Sequence, residues 1–315
     1  AVFTLATLPC TLACMAATAS PHMRPTDEGE QRATPFELFF DLVFVFAITQ
    51  ISHLILVHPT AAGFAQATFL LLVVWWAWTY TTWMTNWFDP ARSKPVRLVL
   101  LVVMGLSLLM AIAVPSAFGE KAMLFAGSYV AVQVIRNAFN VWATPRASAQ
   151  RRVAFQRITW WSVLTGAIWI GGAFAGGSLL TPIWIIALVA DYVGPMLGYW
   201  TPGLGRARTS DWDIDAYHFS ERFQLLVIIA LGESIVVTGA TAYDTSLSAA
   251  HAAAVALSFA ITAAMWWLYF NFIAERATER LASAADPGKL ARDAYTYLHL
   301  PIVMGIILEA VASAI

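Results

Sequence analysis

Nine apolar stretches, each long enough to cross a bilayer, divide this chain, and its positive charges fall almost entirely between alternate pairs of them. Of the 18 Lys and Arg residues, 15 lie in the amino-terminal tail, in the even-numbered connections or at the span edges beside those connections. Lys121 sits in the opposite set of connections, and Arg136 and Arg222 fall inside spans. Short loops rich in Lys and Arg stay in the cytoplasm, so this one pattern sets both the number of crossings and their direction. It predicts an all-α, polytopic helical membrane protein with a cytoplasmic amino terminus and the lipid bilayer as its first partner.

Composition agrees. Charged residues make up 12% of the chain, against about 25% in an average soluble domain. A net charge of −1 with no basic cluster gives no case for nucleic acid. The 14 Trp residues suit interfacial belts and close-packed helices. Cys10 and Cys14 precede the first span without a His or acid nearby, so neither a metal site nor a cofactor is expected of them.

Residues 1–35 read as a tail and 36–315 as one helical transmembrane domain. Ala1 to Ser20 resembles the middle region of a signal peptide but has no basic start, which favours an over-extended gene start with Met23 opening the protein. The spans read as Phe36–Val57, Phe64–Trp87, Val96–Val114, Ala122–Trp142, Phe155–Phe174, Leu180–Trp200, Phe219–Ala240, Ala252–Phe272 and Tyr295–Ile315. Backbone groups in lipid must be satisfied within each segment, so these are helices. The longer basic connections are Asp89–Pro95, Ala143–Ala154, Thr201–Tyr217 and Ala274–Ala294. The last span ends without a polar exit, as a truncated chain would.

An internal repeat fits that reading. Glu37, Phe39 and Val43 match Glu221, Phe223 and Val227; Trp75-Trp76-Ala77-Trp78 matches Trp266-Trp267-Leu268-Tyr269. Asp89-Pro90 matches Asp286-Pro287, and Val103-Met104-Gly105 matches Val303-Met304-Gly305. Six spans separate the copies, an even number, so the expected architecture is two parallel repeats of about six spans, the second incomplete.

Function must then be sought among polar residues placed in lipid, where each charge costs at least about 2.5–3.5 kcal/mol at mid-depth. Six carboxylates lie in the spans or at their edges: Glu37, Asp41, Asp191, Glu221, Glu233 and Glu309. Only Arg136 and Arg222 oppose them, leaving a formal excess of four negative charges. A dry bundle cannot hold that, so some acids must be protonated, hydrated or paired with a bound cation.

Glu37 and Asp41 share one helical face. Beside Pro35, Glu37 suits the cap of a helix start, whereas Asp41, a turn deeper among apolar neighbours, suits a proton or cation site. His218, Arg222 and Glu233 fall on one stripe of the seventh span, with Glu221 to its side. Arg222 reads equally as a structural partner for an acid or as part of a pathway. Glu233 has no base within a turn. Arg136 and Asp191 are natural partners for a structural ion pair. Tyr295 and His299 share a face, and His299 reads as a proton relay or as a hydrogen bond to a neighbouring helix. No phosphate loop, metal-spaced histidine pair or nucleophile elbow is present, so no enzyme is expected. The small residues from Gly171 to Gly177 suit close helix contact and a tight outer turn.

Four of these segments carry a family resemblance. Glu37-Leu38-Phe39-Phe40-Asp41-Leu42-Val43-Phe44-Val45 resembles the opening motif of the bacterial low temperature requirement protein A family. His218-Phe219-Ser220-Glu221-Arg222-Phe223 through Gly232-Glu233-Ser234-Ile235 is similar to its second signature. Trp266-Trp267-Leu268-Tyr269-Phe270 and Ala291 to His299 are similar to its third and fourth. The resemblance covers about residues 33 to 315. It implies a bacterial inner-membrane protein linked to growth in the cold and supplies no catalytic residues. The expected function is movement of a proton, cation or small solute. Glu37, Asp41, Asp191, Glu221, Glu233, Glu309, His218 and His299 would line the pathway, with Arg136 and Arg222 as counter-charges. A non-transporting membrane scaffold or sensor is the alternative.

Overall fold

The computed structural model describes residues 22–24, 32–243 and 248–314. Cys10, Cys14 and the reading of residues 1–21 lie outside the described residues. Among the described residues the chain is helical, with two isolated bridges as its only extended pairing, Met23 with Phe88 and Thr201 with Gly205. The helices are α1 (Pro35–Val57), α2 (Ala61–Trp87), α3 (Lys94–Ala113), α4 (Ala122–Ala143), α5 (Ala149–Ala175) and α6 (Gly177–Val193). Then follow α7 (Ala216–Tyr243), α8 (Ala249–Leu268), α9 (Glu275–Ala282), α10 (Pro287–Leu290) and α11 (His299–Ala312).

Among the described residues eight helical stretches are long and apolar enough to cross a membrane, which makes this a multi-pass membrane protein. The expected span Leu180–Trp200, sixth of the nine, is α6 (Gly177–Val193), and it is short. Its 17 residues reach roughly 26 Å at about 1.5 Å per residue, against a hydrocarbon core of about 30 Å. Gly194-Pro195 ends it: the proline cannot donate to a continuing helix. The chain then turns through Gly198 and Tyr199, both at positive φ.

A second departure concerns the basic connection expected from Ala274 to Ala294, which is largely helical. Its alternation of Ala, Glu and Arg has high helix propensity, and α9 buries Thr278 and Leu281 while its charges face outward. Two wide-turn (π) segments, Tyr269–Ala274 and Ala291–Tyr297, join this region to its neighbours. Pro301 helps to place the second junction, since a proline ring crowds the carbonyl four residues back, here Tyr297.

Helix α2 lies at the centre, packed against α1, α4, α7 and α11. Its tryptophans are buried anchors more than surface belts, because an indole N–H in lipid requires an acceptor. Trp75 Nε1 donates to the Thr296 carbonyl at 2.7 Å, and Trp83 Nε1 to Thr296 Oγ1 at 3.0 Å. Trp87 Nε1 donates to the Asp213 carbonyl at 2.6 Å. These bonds tie α2 to the segment before α11 and to the connection before α7. The end of the bundle carrying the start of α1 and the end of α2 is called the basic end below.

Candidate functional site

At the basic end, the sequence Thr34-Pro35-Phe36-Glu37 closes a capping box. Thr34 Oγ1 accepts from the Glu37 amide, and the Thr34 amide donates to Glu37 Oε2 at 2.8 Å. The capping role read for Glu37 is present, but it occupies only one carboxylate oxygen. The other, Oε1, lies 2.9 Å from His218 Nε2 and 3.6 Å from guanidinium nitrogens of both Arg24 and Arg222. His218 Nδ1 faces Asn86 Nδ2 at 3.3 Å, an amide donor, so the proton on the ring sits on Nε2 and points to Glu37. One turn deeper, Asp41 Oδ1 accepts from Arg222 Nη2 at 2.6 Å and from Trp78 Nε1 at 2.8 Å. Glu37, Asp41, His218 and Arg222 are all fully buried.

Arg24 is the member that sequence reading missed. It was placed in the cytoplasmic tail, yet it is 9% exposed and donates to the Thr85 carbonyl from both Nε and Nη2. Its backbone is held beside α2 by a bond to the Trp87 carbonyl at 2.9 Å. Burial of Arg24 changes the charge balance. Of the six carboxylates placed in or beside the spans, four are buried (Glu37, Asp41, Asp191 and Glu233), against Arg24, Arg136 and Arg222. Among these groups the expected excess of four negative charges therefore shrinks to one; Asp89, buried in the connection after α2, pairs with Arg92. Glu221 and Glu309 are only half-buried. Glu221 accepts from the Ala33 amide at 2.6 Å, which holds the chain entering α1.

The second network lies across α2. The direct Arg136–Asp191 ion pair expected from sequence is not made. Arg136 donates to the Ala77 carbonyl at 3.1 Å, to Thr81 Oγ1 and to Gln133 Oε1, and stacks over Tyr80 at 5.3 Å. Asp191 Oδ2 accepts instead from Tyr129 at 2.8 Å and Trp169 Nε1 at 3.0 Å. Gln133 Nε2 donates to the Tyr129 hydroxyl at 3.0 Å, so the two charges are joined through a Gln133–Tyr129 bridge. The reason is reach: Gln133, a turn before Arg136 on the same helix, satisfies the guanidinium first.

Two small separate spaces lie between the basic end and this network. One, of about 20 Å³, is walled by Trp83, Trp87, Asn137, Asn140, Trp212 and Arg292 among others. The next, of about 10 Å³, is bordered by Tyr80, Gln133, Ser162, Asp191 and Tyr199. Each is close to the size of one water molecule, about 10–15 Å³ by this measure. Asn137 Nδ2 donates to Ser162 Oγ at 2.7 Å between them. Towards the opposite end, rings of Phe69, Phe118, Phe125, Trp169 and Trp184 pack against one another at centroid distances of 5.3–6.3 Å.

Glu233 stands apart from both networks. It is 2% exposed, accepts from Thr49 Oγ1 at 2.7 Å, and among the described residues its Oε1 has no hydrogen-bond partner. Beyond it, Thr238, Ser258 and Glu309 form a hydroxyl–carboxylate chain with spacings of 2.9 and 3.4 Å. His299 sits between a Tyr269 hydroxyl and the Ala294 carbonyl, each 2.9 Å away, and stacks on Tyr295 at 4.7 Å. Its neighbours thus give it the interhelical hydrogen bond of the simpler reading. The ten candidate residues do not converge on one cavity; they divide into the α1–α7 seam, the α4–α5–α6 network and isolated positions.

The comparisons with known proteins agree with the motifs. The family model "Bacterial low temperature requirement A protein (LtrA)" matches residues 32–315. An uncharacterized protein of Rhizobium meliloti (strain 1021), RA0937, is 38% identical over 289 residues, which is 92% of this chain and 70% of that relative. No solved structure matches. With motifs, helical architecture and family model in agreement, the chain belongs to the bacterial low temperature requirement A (LtrA) family.

Proposed function

We propose that this LtrA-family membrane protein transports a proton or small cation, with Asp191 and Glu233 as the sites that load and release it. The observation that carries the reading is chemical: these two buried carboxylates have no basic partner in contact. Hydroxyl and indole groups hold Asp191, and a hydroxyl holds Glu233. Such partners support a carboxylate with its proton on or off, or with a cation in its place. Glu37 and Asp41, by contrast, are engaged by His218, Arg222 and Arg24, so their role is to lock α1 to α7. The separate water-sized spaces on the basic side of Asp191 and the aromatic packing beyond it suit a half-channel open towards the basic end. No catalytic chemistry is assigned.

The reading carries a topology. The amino terminus and basic end face the cytoplasm of the inner membrane, and the nine crossings belong to two parallel repeats. Support comes from α1 and α7, which run parallel and side by side. Asp41 meets Arg222 at an offset of 181 residues and Thr49 meets Glu233 at 184, close to the 184 that relates Glu37 to Glu221 in the sequence repeat.

The test is uptake into proteoliposomes of this chain carrying an internal pH-sensitive dye, under imposed proton, sodium and potassium gradients. Wild type is expected to move protons or to couple a cation to them, and Asp191→Asn and Glu233→Gln to fold and lose that flux. Flux equal to empty vesicles for all gradients would reject the proposal. The scaffold or sensor reading, favoured by the salt-bridged α1–α7 lock, predicts instead that the same substitutions lower thermal stability and leave no folded, inactive protein.

A further inference from the structure

Beside the basic end, away from both buried networks, a cleft of about 380 Å³ opens between the first turns of α5 and the connection that follows α6. Arg157, Arg206, Arg208 and Asp211 line it, together with Gln150. Three guanidiniums thus face one carboxylate. Arg157 is held in place by donating twice to the Leu204 carbonyl, which also pins the connection against α5. Arg206 and Arg208 are exposed, and among the described residues neither makes an ion pair. The neighbouring arginines are otherwise occupied: Arg151 reaches Asp213 at 3.6 Å and Arg152 the Thr144 carbonyl.

The depth of the cleft is marked by tryptophans. Trp160, one turn from Arg157 on the same face of α5, is 62% exposed, and Trp200 is 52% exposed. Trp161 Nε1 donates to the Trp200 carbonyl at 3.1 Å, which holds the backbone at Trp200 beside this turn of α5. Exposed tryptophan near the end of a spanning helix favours the membrane–water interface, a placement that would set the three arginines among lipid headgroups. Guanidinium forks match phosphate oxygens in pairs, with a geometry that a lysine cannot supply.

From this cleft we infer a binding site for the phosphate of an anionic phospholipid headgroup, gripped by Arg157, Arg206 and Arg208 with the acyl chains passing Trp160. The net positive charge selects anionic over zwitterionic lipid. It is independent of whether the protein transports anything.

Native mass spectrometry of the full chain, released from detergent with phosphatidylglycerol or phosphatidylcholine of identical acyl chains, tests the inference. Phosphatidylglycerol is expected to be retained selectively. The double variant Arg206→Gln/Arg208→Gln, whose side chains make no ion pair among the described residues, is expected to weaken that retention about thirtyfold. Arg146→Gln/Lys289→Gln, an equal charge change elsewhere, is expected to bind as wild type does. Equal retention of both lipids, or equal loss in the two double variants, would overturn the site. So would full competition by inorganic phosphate at millimolar concentration, which would make the ligand a free anion.

Discussion

At the scale of single residues, the Asp41–Arg222 contact decides how the α1–α7 seam holds together. Among the described residues Asp41 Oδ2 and Arg222 Nε have no hydrogen-bond partner, so the 2.6 Å bond between the two groups is the main compensation for burying both charges. Removing one member of such a pair strands the other and costs about 3–5 kcal/mol, whereas replacing both with apolar groups is close to neutral. Asp41→Leu or Arg222→Met alone is therefore expected to lower the unfolding midpoint in detergent sharply, and the double variant to recover most of the loss. A double variant as weak as the worse single would show that the pairing is not what holds the seam. Sequence alone placed Glu37 and Asp41 on one face, because four-residue spacing is local geometry. It left the partner of Arg222 open and passed over Arg24, since contacts between residues 181 apart, or between a tail and a helix end, leave no trace in local periodicity.

At the scale of elements, close packing of α5 on α6 gives the sharpest contrast. A Cβ on Gly172 would lie 2.7 Å from Trp184 Cδ1 and 2.9 Å from Ile183 Cγ2, while one on Gly171 would meet nothing within 4 Å. Gly172→Ala should then destabilise by about 1–3 kcal/mol through overpacking. Gly171→Ala should be neutral or stabilising by up to about 1 kcal/mol, since Ala is the better helix former. Thermal unfolding of both variants in the same detergent checks the pair, and equal behaviour would contradict the packing described. The Gly171–Gly177 stretch was legible as a contact-permitting run, but not which glycine faces the neighbour. The early end of α6 was also written in the sequence, as Gly194-Pro195, yet the apolar residues beyond it masked the break. For Ala274–Ala294 the error ran the other way: its charge density suggested a loop, and helix propensity with a thin apolar stripe made a helix.

At the scale of the whole molecule, alternation of basic and uncharged connections was enough to read an all-helical, multi-pass chain, because bilayer thickness and backbone satisfaction leave few other arrangements. The sidedness proposed from it has a direct check. In a chain whose Cys10 and Cys14 are replaced by Ser, a cysteine at exposed Ala62 is expected to react with an impermeant maleimide on spheroplasts. One at exposed Ala147 is expected to react only after the membrane is opened. The reverse pattern would invert the topology and with it the direction of the proposed half-channel. What the sequence could not convey is how the polar residues are shared out among seams, because that depends on which helices become neighbours.

Helix α2 has a place in that sharing that neither charged network reveals alone. Its Trp78 indole holds Asp41, while the carbonyl of the preceding residue, Ala77, holds Arg136. Adjacent positions on one rigid rod thus grip ionic clusters on opposite flanks. Turning the rod enough to free one grip must drag the other, so the two halves of the protein cannot rearrange independently. The two ionic clusters are thus separated by a single peptide unit of α2.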